Sequence, residues 1–284
     1  MMLLVDIGNS RVKLGWLDRG VRESEPLAVA HDQWHAIHTW RQGLPHAPVA
    51  AIGVNVAGAQ LGQQLEDALG LPMRWLAGGT CAAGVRNAYT TPEQLGADRW
   101  LALIGLATHA VHDPETPLML ANYGTATTID TLTPQHQDGT RCFIGGLILP
   151  GVNLMRSALA QHTAQLPLAQ GAVTAFPIDT DAAIVSGVCA AQAGALVRQW
   201  RHVLAHFGRA PAVYVSGGNW HWVADAVQDA MTQIQTDLVL TPDSVRMLRV
   251  PVLDGLARVG MEGVDMQRSS MRIQPTQPRS HAVR

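Results

Sequence analysis

Residues 2–6 run apolar up to Asp6, and residues 11–17 alternate, with Val12, Leu14 and Trp16 on one side and Arg11, Lys13 and Gly15 on the other. A continuous apolar run followed by a period of two predicts a buried strand and its hairpin partner, with Gly8 and Asn9 at the turn. The pattern returns at 118–130, where an apolar run ends at Asn122 and is followed by Gly124, Thr125 and a second strand. Each copy is a strand ending in Asp or Asn, then any residue, a glycine and a small polar residue. Such turns place backbone N–H groups and hydroxyls at the ends of buried strands, and two of them face to face would grip a polyphosphate from both sides.

The same reasoning predicts a strand near 49–54, helices over 32–42 and 58–69, and an apolar helix over 97–110. In the second of these, Leu61, Leu65 and Leu69 recur at four-residue spacing. A glycine-rich loop with Gly78, Gly79 and Gly84 separates these elements, and the polar, proline-marked stretch 112–117 breaks the chain. After the break come a strand over 142–149, a helix over 152–162, one or two helices over 181–207, a strand over 212–215 and a helix over 251–263. Beyond Asp265 the chain is poor in apolar residues, which predicts a disordered tail. The expected division is therefore 1–116, 117–264 and a tail, 265–284, with each half a strand-rich α/β unit.

Composition narrows the function classes. At about 150 residues per domain, 284 residues make roughly two domains. The chain is 47 % apolar and 15 % charged, so a large core is available. A net charge of −2 without a basic stripe argues against a nucleic-acid partner. Three scattered cysteines form neither a disulfide framework nor a metal spacing, which fits a reducing compartment. The first residues enter a strand directly, and no apolar run approaches the ~18 residues of a membrane span. The expectation is a cytoplasmic protein that does not bind membranes.

The glycine turns carry the candidate chemistry. Gly8 lets the backbone approach a phosphate, Asn9 and Ser10 add donors, and Lys13 adds a charge. Asp6 would hold Mg²⁺ through water, since that ion prefers a carboxylate, waters and substrate phosphates. A plain hairpin turn needs no ligand, so one copy decides nothing. The second copy, with Thr125, Thr127 and Thr128, and a third turn at Ser216–Asn219 strengthen the phosphate reading. At 96–99, Asp98 is either a helix cap or a general base for a hydroxyl, with Arg99 a fork for a carboxylate. The histidine pairs at 202/206 and 31/35 lack the glutamate of a zinc helix, and Cys142 reads as a core residue.

Taken together, the motifs resemble the type III pantothenate kinases, also called the Bvg accessory factor-like family. The matching residues are Asp6, Gly8, Asn9 and Ser10; Gly84 to Tyr89; Gly96 to Trp100; Gly124 to Thr128; Gly145 to Gly151; Leu154 to Ser157; His162 and Thr163; Asp179 and Thr180; and Ser216 to Gly218. They run in family order over about residues 2–260. The resemblance implies two ribonuclease-H-like domains of the acetate and sugar kinase/Hsp70/actin fold with ATP in the cleft. It implies a homodimer that phosphorylates pantothenate to 4′-phosphopantothenate, the first step of coenzyme A synthesis. By that resemblance Asp6, Ile7, Gly8, Asn9, Ser10, Arg11, Val12 and Lys13 hold ATP phosphates, and Thr125 contacts ATP from the other domain. Asp98 is the proton acceptor. Tyr89, Gly96, Ala97, Asp98 and Arg99 bind pantothenate, and Thr180 contacts it near the dimer interface.

Asn122 departs from the family, most of whose members have Asp there beside a bound monovalent cation, K⁺ or NH₄⁺. Asparagine offers an oxygen without a charge, so cation binding is expected to weaken. Two alternatives share the fold: an accessory protein in virulence gene expression, and a kinase for another sugar or acid.

Overall fold

The computed structural model describes residues 1–109 and 113–272. The first sheet contains β1 (Met2–Ile7), β2 (Arg11–Asp18), β3 (Val21–Arg22), β4 (Leu27–Ala30), β5 (Ala50–Asn55) and β6 (Arg74–Trp75). Helices α1 (Trp34–Gln42) and α2 (Ala59–Leu69) belong with it. The second contains β7 (Cys81–Ala82), β8 (Val85–Asn87), β9 (Leu118–Tyr123), β10 (Ala126–Leu132), β11 (Arg141–Pro150), β12 (Ala212–Ser216) and β13 (Arg246–Met247). The remaining helices are α3 (Ala97–His109), α4 (Val152–His162), α5 (Thr180–Phe207), α6 (Trp220–Asp237) and α7 (Pro251–Arg272).

The repeat seen in a dozen residues extends through both sheets. The first runs β3-β2-β1-β5-β6, and the second contains the run β11-β10-β9-β12-β13. In each, the opening strand pairs antiparallel with its hairpin partner and parallel with the strand on its other side. This is the doubled ribonuclease-H-like arrangement.

Side-chain alternation builds five layers. Leu3, Val5 and Ile7 of β1 pack outward with Ile37 of α1 and with Leu65 and Leu69 of α2. Met119, Ala121 and Tyr123 of β9 pack outward with α5 and α6. Leu4, Leu118, Leu120 and Leu132 face inward, onto α3 and α7 between the sheets. These two helices touch at glycines. A Cβ on Gly105 would lie 2.0 Å from the Pro251 carbonyl oxygen, and one on Gly255 would lie 1.9 Å from that of Leu101.

Two segments cross the 116/117 division expected from the sequence. Strand β8 pairs in parallel with β11, Val85 opposite Arg141, and so joins the second sheet. Helix α7, late in the chain, packs on β1, β2 and β5 of the first. Three further differences concern helices. The span 181–207 is one helix, α5, which is long and apolar enough by length and composition to cross a membrane, contrary to the expectation that no segment is. Trp200, Leu196 and Val188 bury one side of it in the second core. Helix α6 was not expected, although Val223, Val227, Met231 and Ile234 trace a buried helical stripe. Helix α7 runs through Arg272, so residues 265–272 of the expected tail are helical, built largely from good helix formers such as Met, Gln and Arg. Residues 273–284 lie outside the described residues.

Candidate active site

Strand parity gives the site its inner wall. Asp6 follows Leu4 by two residues and Asn122 follows Leu120 by two, so both lie on inward faces at strand ends. Asp130 and Leu132 are related in the same way on β10. Lys13 sits directly opposite Asp6 in the hairpin register, and its Nζ donates to Asp6 Oδ2 at 3.1 Å. Asp6 is 4 % exposed, while Lys13 reaches solvent.

The two turns meet as the repeated pattern predicted. Ser10 Oγ and Thr125 Oγ1 share a hydrogen bond of 2.7 Å. Gly124 N donates to Ala126 O, and Gly8 N to Arg11 O, so both turns are closed by their own backbone. The Ser216–Asn219 turn joins them: Asn219 Nδ2 donates to Gly124 O at 2.9 Å, and Asn219 N donates to Tyr123 O. Gly217 has φ +103°, and a Cβ there would lie 2.3 Å from Tyr123 O, so only glycine fits this approach. Gly151 N donates to Thr125 O and brings the start of α4 to the same place.

The start of α3 lies within reach of the charge of Asp6. Asp98 lies in the first turn of that helix, and Oδ1 accepts from the Arg99 N–H at 2.8 Å. Burial raises the Asp98 pKa above its ordinary value; the Arg99 N–H works against this and the nearby charge of Asp6 adds to it. Asp98 is thus an acid in the first turn of α3 whose carboxyl pKa lies above its ordinary value.

Arg99 is buried and already engaged. Its Nε and Nη2 donate to the two oxygens of Asp130, at 3.2 and 2.5 Å, and its Nη1 donates to Tyr89 Oη at 3.3 Å. Burial alone would lower the Arg99 pKa, but the hydrogen bonds and charge of Asp130 hold it above its ordinary range. The side-on fork that the sequence offered to a substrate carboxylate is therefore taken by Asp130. Of five N–H donors on a guanidinium, these bonds use three, which leaves one on Nη1 and one on Nη2.

Tyr89 is held by its loop. Asn87 Oδ1 accepts from Tyr89 N at 3.0 Å, and Asn87 Nδ2 donates to Gly79 O and Pro92 O. The ring of Tyr89 lies 5.1 Å from that of Phe143. Gly96 and Ala97 lead directly into Asp98. Asn9 and Arg11 are exposed on the first turn, while Ile7 and Val12 are buried beneath it.

Thr180 stands apart. It opens α5 with an exposed side chain after the Asp179 cap, and among the described residues it takes no part in the hydrogen bonds around Asp98. Asn122 is half-buried, opposite Thr128 on one side and Ser216 on the other. Two contributors escaped the sequence. Asp130 gave no motif because its partner is 31 residues away. His31, read as bland, shares a 2.8 Å hydrogen bond between Nε2 and Gly8 O that steadies the first turn.

Comparison with known proteins shows the family of the chain. A family model described as type III pantothenate kinase matches residues 2–202. A Bordetella petrii type III pantothenate kinase is 48 % identical over 262 residues, 90 % of this chain and 96 % of that protein. One from Bordetella bronchiseptica is 44 % identical over 93 % of this chain and 98 % of its own. A solved Sinorhizobium meliloti structure, provisionally assigned as a 2-dehydro-3-deoxygalactonokinase, covers 94 % of this chain and 99 % of its own with TM-score 0.50 and 15 % identity, and so shares the fold. The chain belongs to the type III pantothenate kinase family.

Proposed function

We propose that Asp98 is the proton acceptor in transfer of the ATP γ-phosphoryl group to the primary hydroxyl of pantothenate, in coenzyme A synthesis. The observation that carries this reading is the half-buried Asp98 carboxylate in the first turn of α3, joined to Arg99, whose Nη1 reaches Tyr89 Oη, and close enough to Asp6 to feel its charge. The hydroxyl oxygen forms a bond to phosphorus, its proton passes to Asp98, and the bond to the β-phosphate oxygen breaks as ADP leaves. Phosphoryl transfer depends on positioning and charge neutralisation, which the turns at 6–13 and 124–125 and the Lys13 ammonium supply.

Mg²⁺ fits at Asp6. The carboxylate is nearly buried at a strand end, Lys13 occupies one oxygen, and among the described residues no side chain bonds the other, which suits an ion shared with phosphates. Bound there, the ion would neutralise charge on the phosphate oxygens. The residues fit a monovalent cation poorly, because Asn122 brings an oxygen without a charge.

The purified protein with ATP, Mg²⁺ and pantothenate should yield 4′-phosphopantothenate, with pantothenate preferred in a panel of sugars and acids. Absence of turnover in sodium, potassium and ammonium salts would overturn the reading. The family match favours the kinase over an accessory role. Activity should depend little on potassium, and Asn122→Asp should create strong dependence; activation of the parent by low-millimolar potassium would contradict this.

The active unit is a cytoplasmic homodimer. Phe176 and Ile178 are 90 % and 98 % exposed just before Thr180, and Leu154, Leu168, Val173 and Ile148 are exposed in neighbouring segments. Large apolar side chains left exposed along 148–178 are what a second copy would cover. A second copy seated on it would cover Thr180 and its surroundings. Phe176→Glu should shift the protein from dimer to monomer in light scattering and raise the KM for pantothenate more than that for ATP; an unchanged mass would refute the assignment.

A further inference from the structure

We infer that Asp130 is a positioning residue for substrate selection: it clamps Arg99 side-on and leaves one N–H on each of Nη1 and Nη2, with the Tyr89 hydroxyl, for a substrate carboxylate. This rests on the pantothenate reading above and names the residue that sets its acid specificity. Three observations support it. The clamp is complete, since both Asp130 oxygens and two different Arg99 nitrogens are engaged. Both residues are buried, Asp130 at 2 % and Arg99 at 8 %, so the guanidinium has little freedom to turn elsewhere. The sheet is also shaped around this carboxylate. Gly146 lies opposite Asp130, where a Cβ would come 2.1 Å from Oδ1, and the β10–β11 register shifts beside it, between Thr131 and Leu132. Bulges of this kind re-aim side chains next to active sites.

A buried ion pair by itself is weak grounds for a stability role, since an apolar pair of similar volume often serves as well. What distinguishes this pair is the continuation from Arg99 to Tyr89 and the position of Arg99 next to the proton acceptor. The arrangement presents a cation whose orientation is fixed before substrate arrives. A carboxylate arriving at the Nη1/Nη2 end meets two directed donors and the phenol, whereas an uncharged group in its place forgoes the charge-assisted bonds. The clamp therefore acts on selectivity between acid and neutral substrates more than on the chemical step.

The test compares pantothenate with its alcohol analogue, in which a hydroxymethyl group replaces the carboxylate. Binding is measured by calorimetry and turnover by a coupled assay, for the parent, Asp130→Asn and Asp130→Glu. Asp130→Glu keeps the charge pair while displacing the clamp by one methylene, and Asp130→Asn keeps the shape of the side chain while removing its charge. Each folded variant should raise the KM and Kd for pantothenate about tenfold or more with kcat changed less than about threefold, while the alcohol analogue is little affected. The acid-to-alcohol preference should therefore collapse. If either folded variant weakens both compounds equally, or leaves the preference intact, Asp130 is only structural and the inference fails. A parent that binds neither compound overturns the pantothenate reading itself, and this inference with it.

Discussion

Asp98→Asn should reduce kcat for pantothenate phosphorylation by about 10²–10⁴-fold, the usual contribution of a positioned general base, with little change in either KM. Asparagine keeps the side-chain oxygen that accepts the Arg99 N–H, so α3 should start unchanged. The pH profile should report the same group. Because burial and Asp6 raise its pKa, the acid limb of kcat/KM should lie above the ordinary Asp value of about 3.9. Stability gives an opposite sign. A carboxylate whose folded pKa is raised binds more protons folded than unfolded, so stability is greatest below the unfolded pKa and falls as pH rises through the folded one. Above that window the parent carries the full cost of an ionised, desolvated Asp98. The Asn variant does not titrate and should melt no lower than the parent near neutral pH. A variant that is both inactive and much less stable would show that Asp98 mainly holds the fold.

Gly255→Ala should destabilise the protein by about 2–3 kcal/mol, lowering the melting temperature by roughly 5–10 °C. Alanine in a helix interior ordinarily gains ~1 kcal/mol over glycine, so the sign depends on which effect is larger. At Gly255 the added carbon would lie 1.9 Å from the Leu101 carbonyl oxygen, a backbone atom of a packed helix that cannot rotate away. The helices must separate, loosening the layer between the sheets and with it the start of α3 that carries Asp98. Gly187 in α5 provides the contrast: nothing lies within 4 Å of a Cβ there, so Gly187→Ala should be neutral or stabilising by up to ~1 kcal/mol. Gly105→Ala should resemble Gly255→Ala, and the double variant should cost less than the sum, since one separation relieves both contacts. Equal melting temperatures for Gly255→Ala and Gly187→Ala would refute the tight crossing.

The apolar pattern revealed the long elements because burial on both faces of β1 and β9 leaves an unmistakable run of aliphatic residues, and helices such as α2 repeat leucine at the helical period. The two-residue strands β3, β6, β7 and β13 are too short to show any period, and the exchange of 81–87 into the second sheet is decided by long-range pairing. The stripe of α6 is legible, with Val223, Val227 and Met231 four apart. At the site, glycine turns and Asp98 could be found because tight turns and helix starts constrain local residue types. Asp130 could not, since an acid in a run of threonines on a strand resembles a solvent-facing position until the fold brings Arg99 to it.

The paired residues opposite each other in the two hairpins differ in a way that bears on how the cleft is balanced. In the first, Asp6 faces Lys13; in the second, Asn122 faces Thr128. The first repeat carries its counter-ion covalently, as an ammonium anchored on the neighbouring strand. An aspartate in the second repeat would have no such residue across from it and would need a counter-ion recruited from solution. With asparagine there, both members of the pair are neutral and the demand disappears. On the proposal above, dependence on potassium is then a question of where the balancing charge is kept, and a carboxylate restored at 122 would bring the demand back.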